Sequence, residues 1–294
     1  MAQSRVALRS PLTWIGGKHY LATRIVAAMP PDAAYDTYIE PFCGACHVLF
    51  GRPCPSPHVE IVNDRDDLLV NFLLCLRDQT EALYAKLAGL PYSRALYYRY
   101  HASLFASDAP AKLDPVERAA RFFYVVRSSF NAIVQRTPRG WNVGVQPCSD
   151  RTRTFRSAIE MLPRVAERLK TIAIDNRDFA QVIALYTRPR TFFYCDPPYL
   201  GTEDYYQGGA GFGRADHERL ATALAQAHQQ GAQIALSYYE CPELAEWYPA
   251  ATWSRLSWDV PKHSQRAKAQ KSRAREVLLC NYVVTPDLWT NENK

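Results

Sequence analysis

In the stretch TFFYCDPPYLGT, residues 191–202, an apolar run ends on Asp196 and is followed by Pro197, Pro198 and Tyr199. This set of groups suits the activation of an aromatic exocyclic amine, such as N6 of adenine. The lone pair of such an amine is delocalised into the ring, which makes it a poor nucleophile. A carboxylate can accept one N–H and the backbone carbonyl of the adjacent proline can accept the other. Two converging acceptors draw the nitrogen toward tetrahedral geometry and free its lone pair. Consecutive prolines fix the turn, because each ring locks φ. Tyr199 offers a face on which a base could stack. The chemistry is orientation plus electrostatic stabilisation, with no covalent enzyme intermediate.

Two further segments end apolar runs with polar groups. EPFCGAC, residues 40–46, contains Gly44, which lets the backbone turn tightly and approach a ligand. The full G-x-G-x-x-G pattern is absent. Asp64 follows Gly44 by twenty residues, the spacing at which an acid ending the next strand takes ribose hydroxyls. The pair fits a ribose-containing ligand without a pyrophosphate.

These groups need strands to hold them. The start of DTYIEPFCGACHVLF (36–50), the start of HVEIVNDRDDLLVNFLLCLRD (58–78) up to Asn63-Asp64, TIAIDNRDF (171–179), TFFYC (191–195), AQIALSYY (232–239) and REVLLCNYVV (275–284) read as strands. AQVIALY and RADHERLATALAQAHQQG read as helices, the second closed by Gly231. The predicted class is α/β, an open sheet whose ligands bind at the carboxyl ends of its strands. Residues 77–170 read as several helical pieces, interrupted by QRTPRGWNVGVQPCSD, where Pro138, Gly140 and Gly144 favour a hairpin or loop. The expected organisation is a core of residues 1–76 and 171–294 with a mostly helical insertion at 77–170.

Charge narrows the partners. The 294 residues carry 35 Lys and Arg against 29 Asp and Glu, a net +6. The excess is concentrated in KHSQRAKAQKSRAR (262–275), which holds six bases and no acid, and in Arg136, Arg139, Arg151, Arg153 and Arg156. Two such runs point to a polyanion. No apolar run is long enough to cross a bilayer and MAQSRVALRSPLTWIGGK lacks a signal-type apolar stretch, so a cytoplasmic location without membrane association is expected. Eight scattered cysteines read as free, mostly buried thiols. Cys43 and Cys46, with Cys54 and His58 near them in sequence, form the one C-x-x-C; no second matched pair follows, and no metal is expected.

The chain resembles the Dam-type adenine-specific DNA methyltransferases, which take S-adenosyl-L-methionine as methyl donor. The resemblance rests on ordered segments over nearly the whole length. PLTWIGGKHYL (11–21) is similar to the family's W-x-G-G-K segment, and YIEPFCGACHV to its P-F-x-G-x-G motif. IVNDRD resembles N-D-x-N, IDNRDF (174–179) resembles the element over the cofactor adenine, and DPPY is the catalytic signature. By position the resemblance implies a Rossmann-like methyltransferase sheet with a target-recognition insertion. It places cofactor at Trp14, Lys18, Phe42, Gly44, Asp64, Asp178, Phe179 and Asp196, and catalysis at Asp196, Pro197, Pro198 and Tyr199. Two departures stand out. Cys46 replaces the last glycine of F-x-G-x-G and must avoid φ > 0 or be strained there. NDRD replaces N-D-x-N but keeps Asp64.

The target amine lies inside a duplex, so the resemblance also implies base flipping in double-stranded DNA. The Gly-rich segment 200–214, with Tyr205, Tyr206 and Phe212, is expected to clamp the target strand. The hairpin SSFNAIVQRTPRGWNV (128–143) corresponds to the family's base-reading element, with Asn131, Gln135, Arg136 and Arg139 as candidate contacts. It departs from that of Dam members that recognise GATC, so that site is not carried over. Lys262, Arg266, Lys268, Lys271 and Arg273 correspond to a loop that grips phosphate. A cognate restriction endonuclease would be a natural partner. Competing readings are methylation of cytosine N4 or of RNA by the same mechanism, a DNA-binding regulator with a degenerate cofactor site, and a zinc or redox protein built on Cys43 and Cys46.

Overall fold

The computed structural model of the protein describes residues 8–53, 56, 58–105, 112–130, 137–138, 140–144, 150–202, 211–261 and 273–284. Seven strands, β1 (Thr37–Glu40), β2 (Val59–Asn63), β3 (Ile172–Asp175), β4 (Thr191–Cys195), β5 (Gln233–Tyr239), β6 (Ser254–Pro261) and β7 (Arg273–Cys280), form one sheet in the order β3-β2-β1-β4-β5-β7-β6. The first five are parallel to their neighbours, and β7 runs antiparallel between β5 and β6. Every residue of β4 is buried, as expected for a central parallel strand covered on both faces, which reads in sequence as an unbroken apolar run. The strand order reverses between β1 and β4, so their carboxyl ends open the crevice where such sheets bind ligands.

The expected strands are present, and β6 is an addition. Its pattern was open to reading: Trp258 and Val260 are buried while Ser257 and Asp259, alternating with them, are exposed, the period of two of an edge strand with one wet face.

Eleven helices occur among the described residues, beginning with α1 (Ala22–Ala27) and α2 (His47–Gly51). α3 (Asp67–Asp78) starts where the Asp66 side chain accepts the Leu68 and Leu69 N–H groups, which satisfies donors the first turn leaves unpaired. The region 77–170 supplies α4 (Thr80–Ala88), α5 (Arg94–Phe105), α6 (Pro115–Ser128), α7 (Arg151–Glu160) and α8 (Leu162–Leu169). α6 is capped by Asp114 and carries Pro115 in its first turn, where a missing N–H costs nothing. It packs on α3 through Phe72, whose ring stacks on Phe123 at 5.7 Å. Phe122, Phe155 and Leu162 thereby join the same core as Tyr38 of β1 and Phe192 of β4.

The remaining helices are α9 (Phe179–Tyr186), α10 (Arg214–Gln229) and α11 (Glu243–Trp247). α10 ends as expected at Gly231, which takes φ 87°. The base of the expected hairpin is present. Ser129 bridges Trp141 in antiparallel fashion, Phe130 N donates to Gly140 O at 2.9 Å and Asn142 N donates to Ser128 O at 2.8 Å. Trp141 lies 5.3 Å from the Tyr92 ring and beneath the Arg94 guanidinium at 5.1 Å, which ties the stem to the start of α5.

Candidate active site

Asp196 follows the last residue of β4, and Glu40 ends the neighbouring β1. Between them opens a cavity of about 610 Å³, within the range of roughly 300–1,000 Å³ typical of small-molecule sites. Of the residues expected at a site, Trp14, Lys18, Phe42, Gly44, Asp64, Phe179, Asp196 and Pro198 all line this cavity. They come from segments separated by up to 184 positions in the chain (Trp14 to Pro198), brought together by the strand order.

The glycine turn after β1 is built for close approach. Gly44 takes φ 46°, and a Cβ there would lie 2.8 Å from Trp14 Nε1. Its N–H donates to Asp64 Oδ2 at 2.9 Å, while Asp64 Oδ1 accepts from Asp66 N at 2.9 Å. Each Asp64 oxygen therefore locks a piece of backbone and retains a further lone pair for a ligand. Burial raises the Asp64 pKa against these hydrogen bonds. Cys46 takes φ 55° as the residue before α2. The glycine-to-cysteine departure thus keeps the left-handed turn and bears its strain, about 1–2 kcal/mol. Cys43 and Cys46 are both buried free thiols; Cys54 lies outside the described residues.

Gly44→Ala is expected to push Trp14 out of the cavity and to add strain at positive φ. The ligand affinity of the cavity should fall about tenfold or more, with stability down by about 1–3 kcal/mol. Titration calorimetry with the methyl donor that the resemblance implies and chemical denaturation check the two effects.

The centre of charge is a buried network around Lys18. Its ammonium lies 2.8 Å from Asp196 Oδ1 and 3.2 Å from Glu276 Oε1, with Lys18 and Glu276 only 3% and 1% exposed. It also donates to Gly16 O at 2.8 Å. The Tyr199 hydroxyl stands 3.1 Å from Asp196 Oδ1 and 2.9 Å from Glu276 Oε1, and Tyr20 donates to Glu276 Oε2 at 2.9 Å. Burial pushes the Asp196 carboxyl up to about 6, with Lys18 pulling it down and Glu276 pushing it up. Burial alone would lower the Lys18 pKa, but the two carboxylates outweigh it and leave it raised. Glu40 is pushed up to about 8 by burial, partly offset by the Tyr38 hydroxyl, so at neutral pH it is mostly a neutral acid.

Other expected residues fall elsewhere. Tyr199 is buried and absent from the cavity lining: its ring lies under Lys18 at 4.9 Å and packs on Tyr238 and Tyr239. Asp178 caps α9 through Ala180 N and pairs with Arg219 at 2.9 Å. It sits beside Phe179, whose ring contacts Phe42 at 5.2 Å and Phe212 at 5.5 Å. Pro197 lies in the turn between Asp196 and the lining residue Pro198. Asn131, Gln135, Arg136, Arg139, Lys262, Arg266, Lys268, Lys271, Tyr205 and Tyr206 lie outside the described residues. Arg273 opens β7, its backbone paired with Pro261.

The sequence reading did not single out Glu276, nor the cavity-lining His47, Leu104, Phe105 and Arg118. The last three come from α5 and α6, so the insertion itself walls part of the cavity. Burial, with His19 and Lys18 nearby, lowers His47 to about 4 and keeps it neutral.

A doubly covered parallel sheet with an antiparallel β7, a glycine turn after β1 and D-P-P-Y after β4 define a Rossmann-like methyltransferase. A family model of the D12 class N6 adenine-specific DNA methyltransferases matches residues 14–260. The chain belongs to this family, and its activity is methylation of adenine N6 in DNA. It is 24% identical over 290 residues to the Type II methyltransferase M1.LlaDCHI of Lactococcus lactis subsp. cremoris, covering 96% of this chain and 98% of that protein. It is 26% identical to the DNA N-6-adenine-methyltransferase of Escherichia phage P1, over 82% of this chain and 31% of that protein. It is 23% identical to the retron Ec67 DNA adenine methylase of Escherichia coli, over 77% of this chain and 75% of that protein. Among the described residues no helix is long and apolar enough to cross a membrane.

Proposed function

We propose that the chain transfers a methyl group from S-adenosyl-L-methionine to the N6 amine of an adenine flipped out of double-stranded DNA at a specific sequence. The observation that carries this reading is the meeting of Asp196, Asp64, Gly44, Phe179 and Lys18 in one cavity at the switch point of the sheet.

The donor set suits that cofactor. Asp64 has lone pairs for ribose hydroxyls, Phe42 and Phe179 present aromatic surface for a purine, and Gly44 lets the Trp14 indole lie against the turn. Trp14 and Lys18 also line the cavity. When bound, the cofactor supplies an electrophilic methyl on a sulfonium. Asp196 accepts one N–H of the target amine and the Pro197 carbonyl accepts the other, which sharpens the nitrogen lone pair in the direction of attack. Both Lys18 and Tyr199 engage Oδ1 of Asp196, and in this reading Oδ2 accepts from the amine. Phe212, packed on Phe42 and Phe179, keeps water from that side.

Residues 77–170 would recognise the target, and 1–76 with 171–294 would carry the chemistry. The hairpin stem at Ser129 and Trp141 brackets the segment of the sequence that carries Arg136 and Arg139. Arg136→Ala or Arg139→Ala is expected to relax the preferred sequence by about 1–3 kcal/mol per contacted base while cofactor affinity stays within about twofold. Selection from a randomised duplex library checks it, and unaltered preference in both variants refutes it. The basic segment 262–275 would hold phosphate. A restriction endonuclease acting on the same site would be a partner in keeping with the Type II name of the Lactococcus relative, and the absence among the described residues of a helix long and apolar enough to cross a membrane is compatible with a cytoplasmic place of action.

The test is digestion of duplex DNA treated with the purified protein and labelled cofactor, with separation of the nucleosides. Label in N6-methyl-2′-deoxyadenosine is expected; label in N4-methyl-2′-deoxycytidine would replace the target assignment.

A further inference from the structure

We propose that Glu276 is a positioning residue for methyl transfer: from β7 it divides the hold of Lys18 and Tyr199 between itself and Asp196, so that Asp196 is pinned by one oxygen but not neutralised. This rests on the reading of Asp196 as the acceptor of the target amine.

Glu276 is an acid in the middle of a buried strand, and 1% of it is exposed. An uncompensated carboxylate there would be strongly destabilising. Its partners are the parts of the site that touch Asp196. Oε1 stands 3.2 Å from Lys18 Nζ and 2.9 Å from the Tyr199 hydroxyl, and the same two groups contact Asp196 Oδ1. Tyr20 holds Oε2. One ammonium thus faces two carboxylates, and one phenol stands between them.

The arrangement has a functional consequence. A buried Lys paired with Asp196 alone would form a tight ion pair, stabilise the carboxylate and weaken it as an acceptor. A second carboxylate on the same ammonium returns basicity to Asp196 while both cationic and phenolic contacts stay in place. Without Glu276, Lys18 would close on Asp196 and compete with the amine for its oxygens.

The groups facing the pair are Lys18 and Tyr20 from the N-terminal segment, Glu40 from β1, Tyr194 from β4, Tyr239 from β5, and Tyr199. Glu40 is held as a neutral acid to about pH 8, and the phenols Tyr20, Tyr194 and Tyr199 are all raised. None of these changes charge in the acid range. Asp196 is pushed up to about 6, with Glu276 among the causes, so an acid limb near that pH reports on Asp196.

The pH dependence of methyl transfer is measured for the wild type, Asp196→Asn, Glu276→Gln and Glu276→Asp. Glu276→Gln removes the charge and keeps the size. Its acid limb is expected about one pH unit below that of the wild type, with plateau turnover down about tenfold. The position of the limb does not depend on how much enzyme is folded, so a merely structural role would lower turnover and leave the limb in place. An unmoved limb in Glu276→Gln overturns the assignment. If that variant does not fold, Glu276→Asp carries the test: its carboxylate is drawn back from Lys18, the limb should move the same way by less, and no movement overturns the assignment. A wild type inactive on adenine, or an Asp196→Asn variant as active as the wild type, sinks the reading of the site itself. Active wild type with an unmoved limb in the Glu276 variants sinks only the role of Glu276.

Discussion

Asp196→Ala should lower methyl transfer at least about a thousandfold, some 4 kcal/mol of transition-state stabilisation, while the protein stays folded. The rate effect follows from removing the acceptor that sharpens the amine lone pair. The Pro197 carbonyl alone cannot hold both N–H groups. The fold should survive because Lys18 keeps its second carboxylate, Glu276, at 3.2 Å, so no buried cation is left alone. Cofactor affinity is expected to change by less than about tenfold, since Asp64, Phe42 and Phe179 are untouched, and duplex affinity should be retained because phosphate contacts dominate it. Single-turnover transfer of labelled methyl, with separate equilibrium binding of cofactor and duplex, separates these effects. Turnover near wild type would mean that the carboxylate is not the acceptor.

Lys18→Met should act in the opposite way, first on stability and then on pH. Methionine keeps most of the volume but leaves Asp196 and Glu276 facing each other with only the Tyr199 hydroxyl between them. Breaking a buried pair by removing one partner costs about 3–5 kcal/mol, readable in denaturant unfolding at pH 7. The sign for activity follows from the causes of the Asp196 shift. Burial raises its pKa, Lys18 lowers it and Glu276 raises it. Without Lys18 the folded-state pKa rises further above 6, the protonated and inactive form persists to higher pH, and turnover at pH 7 falls. The acid limb therefore moves to higher pH in Lys18→Met and to lower pH in Glu276→Gln. Movement of both limbs in one direction would contradict the shared-ammonium arrangement.

The readable parts of the site were those set by local rules. D-P-P-Y stands where a continuously apolar strand ends, and Gly44 and Asp64 keep the spacing of one strand–turn–helix–strand unit. Their joint position depends only on parallel order. Glu276 could not be found that way. It lies 77 positions from Tyr199 and 256 from Tyr20, and it reaches them because β7 returns antiparallel beside β5. The sequence signal was an acid within EVLLC, a strand otherwise apolar, which calls for a buried cation. Arg118 and Leu104 were hidden because only the packing of α6 on α3, and of α5 on α6, brings them to the cavity. For Tyr199 the sequence suggested an exposed ring for stacking. The structure ties its hydroxyl to two carboxylates and buries the ring, which a single-position motif cannot reveal. Cys46 shows the reverse case: its side chain argued against positive φ, and the turn adopts it all the same.

The most direct measurement is a crystal structure with a non-reactive cofactor analogue and a duplex bearing the target adenine. The flipped base should place N6 within about 3 Å of Asp196 Oδ2 and of the Pro197 carbonyl, with the sulfonium-equivalent atom of the analogue on the far side of the nitrogen. A base held in the cavity with Asp196 turned away from its amine would contradict the account.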